Sequence, residues 1–448
     1  MRLHPISRRE AMRDGLFSAA GLFLGSHLVP GLGRAAAVPD QPFTPGKAKS
    51  VIQIWMWGGP AHIDTFDPKP EAGNDYCGPL NAPIATNVRG IRIGELMPLL
   101  AKQADKYSLI RSMTHGVNAH ETASYTVQTG RMSGGRDVFP CVGAVVSLFK
   151  GYTAGYKGLI PPYIVLTEPQ GRFSEAGFLG PRYKPFATGG DPGQARFAVE
   201  GVVSQSITDD RQRQRRDFMH QLDSLEQTMP SNTQLKASTE AENQAYELIL
   251  GDAGKVFDLS QEKDDVRDRY GKNTFGASCL VARRLVERGV PYITINYQGG
   301  WDTHKQNFPL MRRRLPELDK GLASLLQDLS DRGLLDSTVV WCNGEFGRTP
   351  KIDWAAPWNG GRGHWGAVFS ALVAGGGFKG GHVVGSSDAR GEEVKSRPVY
   401  PGDLIGSIYE LLGIDPHAKL PHPEGLTAYA TPGASEGLPL AGRLKEIM

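Results

Sequence analysis

Histidine and carboxylate side chains stand beside glycines in three separate segments of the chain, and together they could hold a metal ion. The segments are residues 58–67, 299–304 and 343–365. Imidazole nitrogens and carboxylate oxygens are ligands for Zn²⁺, Mn²⁺ or Mg²⁺, and glycines allow the backbone to approach such a site closely. A single histidine near a tryptophan is more often structural, but the recurrence of the pattern in three segments favours a metal centre.

Two carboxylates and two imidazoles of these segments are the candidate metal ligands. We predict that Asp302, His304 and His364 share one ion, with Asp64 as a further ligand. Asp64 also has an ordinary structural explanation, because it could cap the turn before Pro68. Imidazole and carboxylate ligands must be deprotonated to bind metal, so the affinity should fall as the pH drops through the histidine range.

Short apolar runs precede the three segments and predict the strands that position them. Residues 51–57, 292–297 and 338–342 each form a run that is typical of a buried strand. Helical spacing at 277–288 and a leucine stripe at 315–329 predict one helix before the second strand and another before the third. Two helix-to-strand units in succession indicate an α/β fold with a mostly parallel sheet flanked by helices.

The predicted sheet explains how residues that are distant in sequence could meet. We expect the strands at 292–297 and 338–342 to be parallel neighbours, so that their carboxyl ends open on the same edge of the sheet. The glycine-rich loop at 360–361 could then bring His364 back over that edge.

The first 37 residues have the pattern of an export signal. Arg8 and Arg9 precede a moderately apolar stretch at 15–33 and a run of small residues that ends at Ala37. This pattern predicts a twin-arginine signal peptide, whereas a membrane-spanning helix needs about 20 dominantly apolar residues. An uncleaved anchor is the alternative. We expect a periplasmic or secreted protein, with the twin-arginine translocase as a partner during export and no stable membrane span after cleavage.

Residues 38–448 are predicted to form one α/β domain with an insertion at about 151–272. The composition changes there, first to glycine, proline and aromatic residues and then to a charge-rich stretch at 209–255 that has a helical but weakly amphipathic pattern.

The charge of the mature chain excludes nucleic acid as a partner. The whole chain carries a formal charge of +3, and residues 1–37 contain five arginines against one glutamate and one aspartate. Without these residues the net charge is zero. A chain without net positive charge is a poor match for nucleic acid or an anionic membrane surface.

Five motifs resemble those of one bacterial family. They are WGGPAHIDTFDPKP at 57–70, TGR at 129–131, WDTH at 301–304, EFGRTP at 345–350 and GRGHW at 361–365. With the twin-arginine signal, they resemble the family known as domain of unknown function 1501. That family has no established activity, but it is grouped with the alkaline phosphatase and sulfatase superfamily. The resemblance therefore implies an alkaline phosphatase/sulfatase-like core.

The chain departs from the sulfatase and family patterns at several positions. When the TGR motif is aligned with the sulfatase signature, His120 stands where the Cys or Ser nucleophile should be. Glu345-Phe346 stands in place of a metal-binding Asp-His pair. In the family, the GRGHW loop usually carries an aspartate at the position of Gly363, and its loss would remove a partner of His364.

Two functional hypotheses from different classes follow from these observations. The first is a hydrolase of phosphate or sulfate esters, acting on a small-molecule or polysaccharide substrate with one or two ions of Zn, Mn, Ca or Mg. In it, Glu345 binds metal or acts as general base, and Arg348 or Arg131 steadies the anionic oxygens of the ester. Arg362 is a further candidate for binding substrate. The second is a non-catalytic relative that binds carbohydrate or an envelope partner in the same cleft.

The nucleophile of such a hydrolase stays open at the level of sequence. His120 could attack the substrate, but histidine more often binds metal or moves protons. Thr122, Ser124 and Thr126 offer hydroxyl groups as alternatives.

The export signal gives a first prediction. Replacing Arg8 and Arg9 with lysine should leave the precursor in the cytoplasm, because the translocase recognises the arginine pair itself and not its charge alone. Fractionation followed by immunoblotting measures the outcome. Normal accumulation of the double variant in the periplasm would contradict the twin-arginine assignment.

Overall fold

An eight-stranded sheet forms the centre of the computed structural model. The structure describes residues 43–168, 175–194, 254–433 and 436–448, together with isolated positions between 195 and 253. The strands of the sheet are β1 (Ser50–Trp55), β2 (Tyr107–Met113), β3 (Tyr163–Leu166), β4 (Phe186–Ala187), β5 (Tyr292–Asn296), β6 (Thr338–Asn343), β7 (Phe369–Ala374) and β8 (Val383–Val384).

The sheet is mostly parallel, as predicted. Its order is β8-β2-β7-β6-β1-β5-β3-β4, and β7 alone runs against its neighbours. The predicted strands at 51–57, 292–297 and 338–342 correspond to β1, β5 and β6. These three strands are buried along their whole length, which is why their sequences read as continuous apolar runs.

One expectation about the sheet is wrong. The strands β5 and β6 are not neighbours, because β1 lies between them and pairs in parallel with both. The connection from β5 to β6 therefore passes over β1. As a result three carboxyl ends lie side by side, at Trp55, Asn296 and Asn343, and the loops that follow them open on one edge.

Helices cover both faces of the sheet. Ile52 and Ile54 of β1 pack with one group of helices, whereas the alternate residues Val51 and Trp55 pack with the other. Within the described residues the α-helices are α1 (Asn74–Cys77), α2 (Pro98–Ala101), α3 (His120–Thr129), α4 (Val142–Lys150), α5 (Asp264–Tyr270), α6 (Thr274–Glu287), α7 (Asn307–Asp331) and α8 (Pro401–Leu411).

The long helix α7 contains the leucine stripe that the sequence shows. Leu315, Leu322 and Leu329 have no exposed surface and join the core beside α6. Short antiparallel pairs complete the described structure. They are Ile84–Ala85 with Arg92–Ile93, Gly347–Arg348 with His364–Trp365, Ser386–Ser387 with Val394–Ser396, and Lys419–Leu420 with Ala428–Tyr429.

The export signal and much of the predicted insertion lie outside the described residues. Residues 1–37 belong to this group, and so does nearly all of the stretch 209–255. The boundary of the insertion is corrected in one respect, because β3 and β4 fall within 151–272 and yet are strands of the central sheet. In the part of the chain that the structure describes, every helix is too short or too polar to cross a membrane.

Candidate metal centre

Side chains from separate loops converge at the carboxyl edge of the sheet. His120, Asp302 and His364 each bring a ligand atom to within 4.8 Å of the other two. His304 joins them, with its Nε2 2.8 Å from His364 Nε2 and 3.1 Å from Asp302 Oδ1. The structure thus brings together the three residues predicted to share an ion and adds His120 to them.

The loop after β5 carries Asp302 and His304. The buried ring of Trp301 anchors this loop in the core, and the carbonyl of Thr303 accepts a hydrogen bond of 2.9 Å from the backbone N–H of Arg362. The loop 353–361 packs directly on it, since a Cβ added to Gly361 would lie 1.9 Å from the carbonyl oxygen of His304.

The other two members come from a helix and a hairpin. His120 is the first residue of α3. His364 lies in the short strand pair Gly347–Arg348 and His364–Trp365, directly opposite Arg348. The hairpin therefore returns His364 to the edge of the sheet where β6 ends.

A glycine turn at the end of β1 holds the buried charges behind the centre. Gly58 has φ +114°, and a Cβ at this residue would lie 2.4 Å from the backbone nitrogen of Asp302. Only glycine fits such a conformation and such a close approach. The N–H of Gly58 donates to Glu345 over 2.9 Å, and its carbonyl accepts from the Arg348 guanidinium.

Glu345 orients His120. The carboxylate has no exposed surface, and its Oε1 lies 2.5 Å from His120 Nδ1. Burial alone would lower the pKa of His120, but the hydrogen bonds to Asp302 and Glu345 outweigh it and raise the pKa to about 9. With Nδ1 turned to Glu345, the Nε2 atom faces Asp302 at 3.4 Å. This arrangement is typical of a metal-binding histidine with a carboxylate behind it.

Arg348 fixes Asp302 in the same way. Its guanidinium has no exposed surface and forms an ion pair with the Asp302 carboxylate. Partial burial opposes ionisation of Asp302, but His120 and Arg348 lower its pKa well below the usual range. The remaining donors of Arg348 bind the carbonyls of Gly58, Gly59 and Arg362. Arg348 therefore positions a ligand and has little capacity left for an ester.

Two residues of the segment after β2 were missed in the sequence. The carbonyl of Asn118 accepts a hydrogen bond of 2.7 Å from His364 Nδ1, which leaves Nε2 for the centre. The Asn118 carbonyl thus takes the place of the aspartate that the family usually carries at position 363 as a partner of His364.

His115 lies in the same segment. It donates from Nε2 to the backbone carbonyl of Glu345 over 2.7 Å, and burial lowers the pKa of His115 to about 4. The signal in the sequence was the short run Tyr107–Met113, which forms a buried strand that ends at this edge.

Asp64 and Arg362 are corrections to the predicted site. Both side chains are fully buried and form an ion pair of 2.9 Å, and Asp64 also accepts from Asn307 over 2.7 Å. All five N–H donors of Arg362 are used, by Asp64 and by the carbonyls of Thr349, Pro350 and Tyr76. The pair therefore ties the 353–361 loop to the core and offers nothing to a metal or a substrate.

Arg131 is also engaged elsewhere. Its guanidinium is buried and binds both carboxylate oxygens of Glu436, at 2.8 and 3.0 Å, as well as the carbonyl of Tyr429. The helix α3 ends at Gly130, which has φ +74°. The TGR motif thus closes a helix and fastens the C-terminal segment.

The hydroxyl groups considered as nucleophiles differ in accessibility. Ser124 and Thr126 are buried, and the Thr126 hydroxyl donates to the carbonyl of Thr122 within α3. Thr122 is partly exposed and donates to the carbonyl of Ala119.

A divalent ion fits the donor set of this centre. The imidazoles of His120 and His364 each bind a partner through Nδ1, and their Nε2 atoms face the Asp302 carboxylate. The ligand atoms of His120, Asp302 and His364 all lie within 4.8 Å of one another. In a tetrahedral zinc site, two nitrogens at the usual bond length lie about 3.3 Å apart. A spacing of up to 4.8 Å therefore has to close by at most about 1.5 Å for the three atoms to share one ion.

Comparison with known proteins identifies the family. A family model described as "Protein of unknown function (DUF1501)" matches residues 48–436. The chain belongs to the DUF1501 family. No curated protein matches this DUF1501 member.

Solved structures that are similar to this DUF1501 member include a lipoteichoic acid synthase, a sulfatase and an alkaline phosphatase. The synthase, from Listeria monocytogenes, is 11% identical with a TM-score of 0.40, over 91% of this chain and 81% of that chain. The sulfatase, from Pseudoalteromonas sp., is 15% identical with a TM-score of 0.36, over 82% and 68%. The alkaline phosphatase, a variant, is 9% identical with a TM-score of 0.42, over 92% and 100%. At such identities none of them assigns a residue role or a substrate to this chain.

The buried pair gives the second prediction. Replacing Asp64 with alanine should lower the free energy of unfolding by about 3–5 kcal/mol, because it leaves the Arg362 charge buried without a counterion. Glu424→Ala is the control, since it breaks the exposed Arg136–Glu424 pair and should cost at most about 1 kcal/mol. Denaturant unfolding followed by circular dichroism measures both. An Asp64→Ala protein of unchanged stability that has lost its metal would restore Asp64 as a ligand.

Proposed function

We propose that the protein is a metal-dependent hydrolase of phosphate or sulfate esters that acts outside the cytoplasm. The observation that supports the proposal is the convergence of His120, Asp302 and His364 to within 4.8 Å of one another. The location rests on the signal around Arg8 and Arg9, which lies outside the described residues.

The proposed ligands are His120, Asp302 and His364, each of which another protein group holds on the side away from the centre. Glu345 holds His120, Arg348 holds Asp302, and a backbone carbonyl holds His364. Catalytic zinc sites keep three protein ligands and an open position, and this set matches that number. A donor set rich in imidazole suits Zn²⁺ best, whereas Ca²⁺ and Mg²⁺, and to a lesser degree Mn²⁺, prefer oxygen ligands. A divalent ion held there would supply Lewis-acid polarisation of a phosphoryl or sulfuryl oxygen.

His304 is proposed to move the proton of the reaction. Its side chain is 42% exposed, against 23% for His120 and 20% for His364. Burial lowers the pKa of His304, and although Asp302 opposes this shift, the charge of Arg348 adds to it, which favours the neutral imidazole. A neutral imidazole can accept a proton from the attacking water and return it to the leaving oxygen. This role replaces the one that the sequence predicted for His304.

Glu345 acts as a positioning residue in this proposal. Its carboxylate is fully buried and already accepts from Gly58 and His120, so it cannot reach a substrate as a general base. Its role is to keep the His120 Nε2 atom turned to the centre.

A second candidate function is a non-catalytic relative that binds carbohydrate or an envelope partner. The observation that favours it is the engagement of the groups that would otherwise act on an ester. Ser124 and Thr126 are buried, and Arg131, Arg348 and Arg362 bind protein carboxylates.

The third prediction separates the two functions. Purified protein should contain about one equivalent of Zn or Mn, and His120→Ala and His364→Ala should each lose most of it because each removes a ligand. His304→Ala should keep the metal and lower kcat about 10²–10⁴-fold for phosphate or sulfate esters, because it removes the proton acceptor. His382→Ala is the matched control, since His382 is an exposed histidine outside the centre. Elemental analysis and steady-state kinetics give the two readouts.

Two results would count against the hydrolase, and another would reassign one of its ligands. A protein that is fully stable and free of metal would favour the binding relative. Loss of metal in His304→Ala with retention in His120→Ala would make His304 the ligand. Hydrolysis that persists after complete removal of the metal would contradict the mechanism.

A further inference from the structure

Two tryptophans stand exposed beside the metal centre. Trp354 is 44% exposed and Trp358 is 38% exposed. Both belong to the loop 353–361, which packs on the backbone of His304. The indole is the largest apolar side chain, so two of them in solvent on one loop leave a considerable apolar area uncovered.

The loop holds these rings in fixed positions. The backbone carbonyl of Trp358 accepts a hydrogen bond of 3.1 Å from Gln306, and that of Gly360 accepts one of 3.1 Å from Asn307. The ring of Phe308 stacks on Trp354, with a centroid distance of 5.7 Å and an interplanar angle of 21°. The loop backbone and the Trp354 ring are therefore already ordered, which lowers the entropy cost of binding a ligand.

The two tryptophans lie next to the metal centre. The centroid of the Trp358 ring lies 6.4 Å from that of His304, and His304 contacts His364 and Asp302. A planar group that stacks on Trp358 is therefore placed next to the centre.

A positive charge accompanies the indoles. The ammonium of Lys305, an exposed residue, lies 5.9 Å from the centroid of the Trp358 ring. A ligand that covers the rings would meet this ammonium at its edge. The surface thus combines an apolar plane with a cation, which suits a ligand that carries apolar faces and anionic groups.

We propose that Trp354 and Trp358 form a stacking platform for the sugar rings of an anionic polysaccharide, and this inference rests on the proposed function. A pyranose ring has a face of C–H groups that covers an indole while its hydroxyl groups stay in water. Rings that remain half exposed are suited to such a ligand. Lys305 binds a sulfate or phosphate substituent, and the next ester of the chain reaches the metal centre. The substrate is then a polysaccharide whose rings carry tetrahedral oxyanion esters.

The test measures binding without turnover. Affinities of the full exported protein for dextran sulfate, phosphomannan and uncharged dextran are determined by affinity electrophoresis in the presence of a chelator, which prevents hydrolysis. Trp354→Ala/Trp358→Ala should bind the anionic polymers at least tenfold more weakly, because each indole removed takes away a stacking surface. Tyr152→Ala removes a similarly exposed aromatic ring from a different surface and should leave the affinity unchanged. Thermal unfolding verifies that the double variant is folded.

Comparison of dextran sulfate with phosphomannan shows whether the protein recognises sulfate or phosphate esters. Tryptophan-dependent binding of dextran sulfate alone indicates sulfate, binding of phosphomannan alone indicates phosphate, and binding of both indicates the shared charge. Lys305→Gln should weaken the binding of the anionic polymers and have no effect on uncharged dextran.

Several outcomes would overturn the platform. One is a double variant that keeps its affinity within twofold. Another is tighter binding of single-stranded poly(dA) than of any polysaccharide, which would indicate stacking of nucleobases. A third is a change of oligomeric state alone, seen by light scattering. If tryptophan-dependent binding is found in a protein without metal or hydrolysis, the platform stands and the hydrolase fails. If hydrolysis is found without such binding, the platform is wrong.

Discussion

Two opposite charges, buried against the turn that follows β1, determine how the metal centre is built. Glu345 and Arg348 have no exposed surface, and a charge in that position is very costly unless it is paired and hydrogen-bonded. The turn at Gly58 supplies an N–H to the carboxylate and a carbonyl to the guanidinium. Glu345 also contacts His120 Nδ1, and Arg348 forms an ion pair with Asp302. The hydrogen bonds that the two buried groups require therefore hold His120 and Asp302 in place.

This constraint explains why so many conspicuous polar residues are not themselves available to a ligand. Arg131 and Arg362 are the strongest anion-binding groups in the motifs, yet both pair with buried or partly buried carboxylates. They fasten the C-terminal segment and the 353–361 loop to the core. The helix α3, which carries His120, and the 353–361 loop, which carries the exposed indoles, are therefore tied to the rest of the protein by these pairs.

The sequence was sufficient to predict the sheet and the edge at which its strands end. Continuous apolar runs at β1, β5 and β6 follow from burial on both faces, and glycines after them mark the turns. The position of β1 between the other two strands could not be predicted, because all three runs are equally apolar and equally short.

The roles of the individual polar residues were harder to predict than their convergence. Asp64 and Arg362 look like a ligand and a substrate-binding residue, and their ion pair joins positions 298 residues apart. No local pattern signals such a pair. The partner of His364 is a backbone carbonyl at Asn118, and any residue type can supply that group. Glu345 was predicted as a chemical participant, but its burial behind His120 makes it a support.

The most direct measurement is a crystal structure of the purified protein with anomalous diffraction recorded on both sides of the zinc and manganese absorption edges. Our account predicts one anomalous peak bonded to Nε2 of His120, Nε2 of His364 and the Asp302 carboxylate, with Glu345 and Arg348 unmoved behind them. A peak at Asp64, or the absence of any peak with the three side chains bonded only to one another, would contradict it.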